Sequence, residues 1–160
     1  MNISLKTKTS WIIRYFGITK VPMIWYCRPK VIQITDEILE VKIPLKRRTK
    51  NHLNSMYFGV LAVGADVTGG FLAMGPIMKS KRNIALLFKD SSAKFLKRAE
   101  GDVHFICRDG RAVAALVEKA IQTGERHELT LHIDASVPSI SDEKVAEFTL
   151  TISLKDKTRG

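Results

Sequence analysis

The chain has few of the residues that would commit it to several common functions. Its two cysteines, Cys27 and Cys107, are isolated among 160 residues. Without CxxC spacing, neither a thiolate metal site nor a secretory disulfide framework is expected. Of the four histidines, His52 reads as a structural or surface residue. His104, His127 and His132 have no carboxylate or Cys companion at ligand spacing, and His127 and His132 fall on opposite faces of one expected strand. No metal site is expected. Acid is also scarce: 16 Asp and Glu against 26 Lys and Arg leave a net charge of +10. Such a balance suits nucleic acid, an anionic membrane or a phosphorylated small molecule. The basic residues are scattered, however, with no arginine-rich arm, zinc-finger spacing or aromatic RNA-binding signature, so nucleic acid is not an expected partner. No apolar run is long and unbroken: Met56 to Met78 is interrupted by Asp66, several glycines and Pro76, so stable membrane insertion is not expected. The first residues lack a signal peptide's apolar stretch and cleavage site. A cytoplasmic protein of one domain, residues 1–160, is the expectation, with 45% apolar residues to build its core.

The informative segment is NHLNSMYFGVLAVGADVTGGFLAM, Asn51 to Met74. It reads as a helix apolar on nearly every side with one carboxylate, Asp66, in its middle. Desolvating a charge there costs about one to several kcal/mol, to be recovered by hydrogen bonds or by function. Asn51, His52, Asn54, Ser55 and Tyr57 cluster where this helix would begin. Unpaired N–H groups at a helix start attract negative charge, so the segment is a candidate for oxyanion stabilisation with an acid or base nearby.

Around it the pattern is mixed. Lys6 to Phe16 predicts a short amphipathic helix with Trp11, Ile12, Tyr15 and Phe16 on its apolar side, followed by VPMIWYC at 21–27. This extension, residues 1–28, reads as a lid packed on the core at 29–156, or as a face for a membrane surface or an acyl chain. Val31, Ile32 and Ile34 predict one strand, and the alternation of Leu39, Val41, Ile43 and Leu45 predicts its partner. IALLF (84–88) and VHFIC (103–107) predict two short buried strands. Asp109 is expected to cap a helix from Gly110 to Thr123 that Gly124 ends. Alternating apolar positions over 129–135 and 146–154 predict a final hairpin. One apolar helix among antiparallel strands gives an α+β class with a sheet wrapped around the helix. Glycines 59, 64, 69 and 70 each cost about 1 kcal/mol of helix propensity, which close approach of the sheet would offset.

This order resembles the hotdog fold, and the segment 51–70 is similar to acyl-CoA thioesterases of the phenylacetate-degradation type and a related, less characterised branch. Their pattern is roughly Asn-x-x-Gly-x-x-His-Gly-Gly, with an Asp nine residues after the His. Asn51, Gly59 and Asp66 match it, Ala65 and Thr68–Gly69 fit beside the acid, and PLKRRTKNH (44–52) is similar to the branch's leading strand. The likeness covers most of residues 31–155. Asn54 stands at the first Gly, Tyr57 at the His and Phe58 at the next Gly. Asn54 is therefore expected in an unusual backbone conformation, which Asn tolerates.

The resemblance implies thioester hydrolysis. The Phe58 amide would hold the carbonyl oxygen, with Gly59 beside it at the helix start. Asp66 would act as base or nucleophile, Asn51 would position water or carbonyl, and Tyr57 would be a supporting donor. Arg47, Arg48, Lys81 and Arg82 are candidates for the phosphates of coenzyme A, with Asn54 also among the substrate-binding residues. No cofactor is implied beyond coenzyme A as part of the substrate. Phe58 and Asp66 are about 12 Å apart along a helix, so the implied mechanism requires a homodimer and allows a tetramer. The competing reading is a non-catalytic acyl-CoA or fatty-acyl binding protein of the same fold, favoured by the residues at 54, 57 and 58.

Overall fold

A computed structural model describes residues 4–158. Residues 1–3 of the expected extension and residues 159–160 lie outside the described part. Six strands, β1 (Lys30–Ile34), β2 (Leu39–Ile43), β3 (Ile84–Phe95), β4 (Val103–Cys107), β5 (His127–Val137) and β6 (Ser141–Asp156), form one antiparallel sheet in the order β1-β2-β4-β5-β6-β3. The long helix α3, Phe58–Ser80, packs against β2, β4, β5 and β6. This is the hotdog arrangement. Two helices, α1 (Leu5–Thr19) and α2 (Pro22–Cys27), precede the sheet, and α4 (Gly110–Thr123) packs on α3, β5 and β6.

Alternation places the core. Leu39, Val41 and Ile43 on β2, Val103, Phe105 and Cys107 on β4, and Leu131, Ile133 and Ala135 on β5 are all buried and turn toward the helix, as a period of two requires. By length and composition α3 is apolar enough to cross a bilayer, but 56% of its most apolar stretch is buried within the protein, as befits a core helix. The sheet does approach its glycines. A Cβ on Gly64 would sit 2.2 Å from Cζ of the fully buried Phe105, and one on Gly69 would meet Leu131 and Leu150 at 3.3 Å.

Four expectations need correction. The segment read as helical from Asn51 is helical only from Phe58, the start that the resemblance implies, and the helix runs past Met74 through Pro76 to Ser80. Polar side chains in 51–55 bond to local backbone and hold a turn instead of a helix. β3 is twelve residues long, not five, and is mostly exposed beyond Leu86, because pairing with β6 carries it past the apolar run from Ile84↔Asp156 to Phe95↔Ala146. Helix α1 docks through Ile13, Phe16 and Gly17, while Trp11 and Tyr15 are 64% and 70% exposed. The docking side is set by α2, whose Trp25 backbone lies where a Cβ on Gly17 would be, at 2.6 Å from its nitrogen. Asp109 stands at the N-cap of α4 without a side-chain capping bond; its carboxylate accepts the His132 N–H of β5 at 2.7 Å instead. Gly124 does end α4, at φ 72°.

Gly64→Ala tests the helix–sheet contact. It should lower stability by about 1–3 kcal/mol by overpacking, despite the propensity gain, and adding Phe105→Leu should recover part of that loss. Urea midpoints of the three proteins measure this; a more stable Gly64→Ala would contradict the contact.

Candidate functional site

The segment before α3 is a compact turn built by its own polar side chains. Asn51 Oδ1 accepts the N–H of Leu53 at 2.9 Å and of Ser55 at 3.3 Å, while its Nδ2 donates to Ser55 Oγ at 3.1 Å. Asn54 has φ 62°, the left-handed conformation expected where the family pattern has Gly, and its Oδ1 accepts from Lys50 Nζ at 2.9 Å. The turn is tied down on both sides. Tyr57 N–H donates to Thr49 O and Met56 N–H to Ala99 O, and the buried Thr49 hydroxyl bonds the Pro44 carbonyl at 2.7 Å.

These bonds aim the start of α3 outward. Tyr57 is the N-cap and offers no side-chain capping bond, so the Phe58 and Gly59 amides have no acceptor among the described residues. Both aromatic rings are exposed, Tyr57 by 44% and Phe58 by 60%, and pack on each other with centroids 4.7 Å apart. The Tyr57 ring also covers Gly59, where a Cβ would come 2.6 Å from its Cε1.

Asp66 lies two helical turns further on and is half-buried. Among the described residues its carboxylate has no hydrogen bond or ion pair, and burial pushes its pKa above the ordinary carboxylate value. It opens on an apolar cavity of about 380 Å³. Phe16, Val21 and Ile24 of the N-terminal helices roof this cavity, Phe71 and Met74 of α3 line its floor, and Leu86 to Phe88 of β3 close one side. A second cavity of about 220 Å³ shares Phe71 and Met74 and continues beneath Leu5 and Ile12 toward Lys79. Asp66 and the N-terminal lid were legible, but Phe71, Met74 and Leu86 to Phe88 were not, because cavity walls and core have the same apolar signature.

The basic candidates divide between the two ends of α3, roughly 33 Å apart for 22 helical steps. Near its start, Arg47 is exposed and without a partner among the described residues, and Arg48 is half-buried with its Nε unbonded. Lys46 and Lys50 are exposed beside them, and Arg98 reaches the Leu53 carbonyl at 3.3 Å. At the far end, Lys81 caps the helix at φ 55°, and Arg82 pairs with the buried Asp156 at 3.5 Å. Within one chain the two groups cannot hold the same phosphates.

Tertiary contacts also supply carboxylate partners that the sequence spacing of the histidines concealed. His104 Nδ1 lies 2.6 Å from Glu40 Oε1 across β2 and β4. His132 Nδ1 is 3.6 Å from Asp109, which also accepts from Cys107 Sγ at 3.7 Å. The latter group is no nucleophilic site. Cys107 is fully buried, its thiol is pushed up to about 12 chiefly by desolvation, and it donates to a carboxylate rather than facing the imidazole. No group of His, Cys, Asp and Glu among the described residues is arranged to hold a metal.

A family model described as a domain of unknown function, DUF4442, matches residues 9–154, and the chain belongs to that family. Solved structures share its fold at low identity. A protein from Chlorobaculum tepidum of unknown function superposes with a TM-score of 0.81 at 12% identity, covering 95% of this chain and 97% of that one. A Pseudomonas aeruginosa protein named a probable thioesterase gives 0.75 at 22%, with 98% and 99% covered. A thioesterase from Haemophilus influenzae gives 0.67 at 13%, with 98% and 93% covered. No curated protein matches the chain.

The unpaired acid has a consequence for stability. A carboxyl whose folded pKa is raised favours the native state while protonated; that contribution is complete below the unfolded pKa and is lost as pH rises through the folded value. Asp66→Asn should therefore stabilise the protein at neutral pH by about 1 kcal/mol, roughly 2–4 °C in Tm. The gain should vanish when the melt is repeated below the ordinary carboxylate range. A variant no more stable than wild type at pH 7 would mean that Asp66 is paired in solution.

Proposed function

We propose that this DUF4442 member is an acyl-CoA thioester hydrolase whose site is completed by a second copy of the chain. The observation that carries the reading is Asp66, an acid without a partner among the described residues, half-buried and open to an apolar cavity. A buried acid left unbonded costs free energy unless it meets something else, and a water beside a thioester carbonyl would be that partner. The neighbours named as thioesterases on this fold agree with the reading.

Asp66 removes a proton from water, and the resulting hydroxide attacks the thioester carbonyl. The new C–O bond places negative charge on the carbonyl oxygen, for which the outward-facing Phe58 amide is the donor. Collapse breaks the C–S bond, and the coenzyme A thiolate takes the proton back. Because about 12 Å of helix separates Phe58 from Asp66, the amide must come from the partner subunit. β3 offers the means of pairing: it is an edge strand of twelve residues, with Leu87, Phe88 and Phe95 exposed. The two cavities meeting at Phe71 and Met74 would take the acyl chain. Arg47, with Lys46 and Arg48, is placed at the helix start to meet phosphate. No cofactor is needed beyond the coenzyme A of the substrate.

One observation favours the second reading, an acyl-CoA binding protein without turnover: the Tyr57 and Phe58 rings crowd the helix start where the carbonyl oxygen must reach the amide.

Steady-state hydrolysis of an acyl-CoA panel separates the two. The hydrolase reading expects Asp66→Ala to lower kcat/KM by about 10²–10⁴-fold. It also expects the wild-type rate to rise with pH through a midpoint above the ordinary carboxylate range, since the base form is the active one. Tight binding of acyl-CoA that emerges unchanged would establish the second reading. Turnover equal in wild type and Asp66→Ala would remove the acid from the mechanism.

A further inference from the structure

The outer face of the α1–α2 hairpin plays no part in the reaction proposed above, yet its composition is strongly biased. Residues 1–35 contain six basic residues, Lys6, Lys8, Arg14, Lys20, Arg28 and Lys30, and no acid. They also hold both tryptophans and two of the three tyrosines of the chain. The aromatic residues point outward. Trp11, Tyr15 and Ile18 form a stripe on α1 at helical spacing, 61–70% exposed, and Met23, Trp25 and Tyr26 on α2 are 45–51% exposed. Arg14 lies over the Trp11 ring at 5.9 Å.

This exposure is not fraying. Ser10 Oγ accepts the Val31 N–H of β1 at 3.0 Å, Ile13 is fully buried, and Gly17 lets α1 sit directly on the Trp25 backbone. The hairpin is therefore a fixed platform that leaves large apolar side chains in water, with Lys6, Arg14 and Lys30 grouped around Trp11. Burying these side chains is favourable, and what covers them must tolerate the positive charge of Lys6, Arg14 and Lys30 beside Trp11. A second copy of the same face does not, since like would meet like. An anionic lipid surface does: Trp and Tyr favour the headgroup level, Lys and Arg reach up to phosphate, and apolar side chains enter the acyl boundary.

We infer that the α1–α2 hairpin docks this protein on anionic membrane surfaces, lying in the headgroup plane without spanning. Docking requires no catalysis and stands or falls apart from the hydrolase reading. It gains a use from the inner face of the same hairpin, because Phe16, Val21 and Ile24 roof the cavity holding Asp66. The lid that meets the lipid is the lid over the acid.

The test uses the full chain with vesicles of phosphatidylglycerol and phosphatidylcholine, against phosphatidylcholine alone. Since Trp11 and Trp25 are the only tryptophans, fluorescence reports on the hairpin directly. The expected result is co-sedimentation with the anionic vesicles only, with a blue-shifted emission. The triple change Lys6→Glu, Lys8→Glu, Lys20→Glu should weaken partitioning by about tenfold or more, as should Trp11→Ser with Tyr15→Ser. The same charge change at the exposed Lys119, Lys155 and Lys157 should leave partitioning within about twofold. No binding to anionic vesicles would overturn the inference. So would binding without a change in emission, or equal losses from both triple variants, either of which means attraction by net charge alone. Finally, dissociation of a lipid-free oligomer by Trp11→Ser, seen by light scattering, would assign the stripe to a protein contact instead.

Discussion

The architecture hangs on how closely the sheet can approach one helix. Phe105 of β4 rests where any side chain at Gly64 would be, and Leu131 and Leu150 press near Gly69. Glycine weakens α3 locally, but it lets the buried faces of β4, β5 and β6 close over the helix backbone. The face of α3 turned from this contact carries Asp66, Phe71 and Met74, and on that side the packing is left to the N-terminal helices and β3. Tight packing on one side and an open lane on the other come from the same helix.

The lane makes the acid tolerable. Fully enclosed in aliphatic side chains, a carboxylate without partners would stay protonated or break the fold. At the wall of a cavity it is desolvated enough to raise its pKa, yet it can still meet a small polar guest. The start of α3 is prepared in the opposite sense. Asn51, Asn54 and Thr49 spend their hydrogen bonds on the loop itself, so the Phe58 and Gly59 amides are left facing outward. An acid with a raised pKa and a helix end with free amides are thus both present on one helix, about 12 Å apart.

Much of this was legible from residue order. Strict alternation at Leu39, Val41 and Ile43 fixed a face that proves fully buried, and a lone acid in an apolar run marked Asp66. Asn54 was readable as a left-handed residue because it stands where the family pattern has Gly. The bounds of α4, Gly110 to Thr123, were also legible, but the non-helical state of 51–55 was not, since Asn51 stabilises a turn by bonds to Leu53 and Ser55 that compete with helical ones. The polar half of β3 has no apolar period and exists by pairing with β6. The inward side of α1 depended on where Trp25 packs, a contact that no periodicity within α1 encodes. The same limit hid the cavity walls at Leu86 to Phe88.

Both thiols are shut away, Cys27 at the end of α2 and Cys107 on β4, and burial raises the pKa of each. Neither supplies much thiolate to an alkylating reagent while the chain is folded. They sit in different parts of the fold, one at the end of the helix whose Ile24 roofs the acid and one in the centre of the sheet. Alkylation of Cys27 ahead of Cys107 would thus time the lifting of that roof, with the second sulfur keeping a separate clock for collapse of the whole.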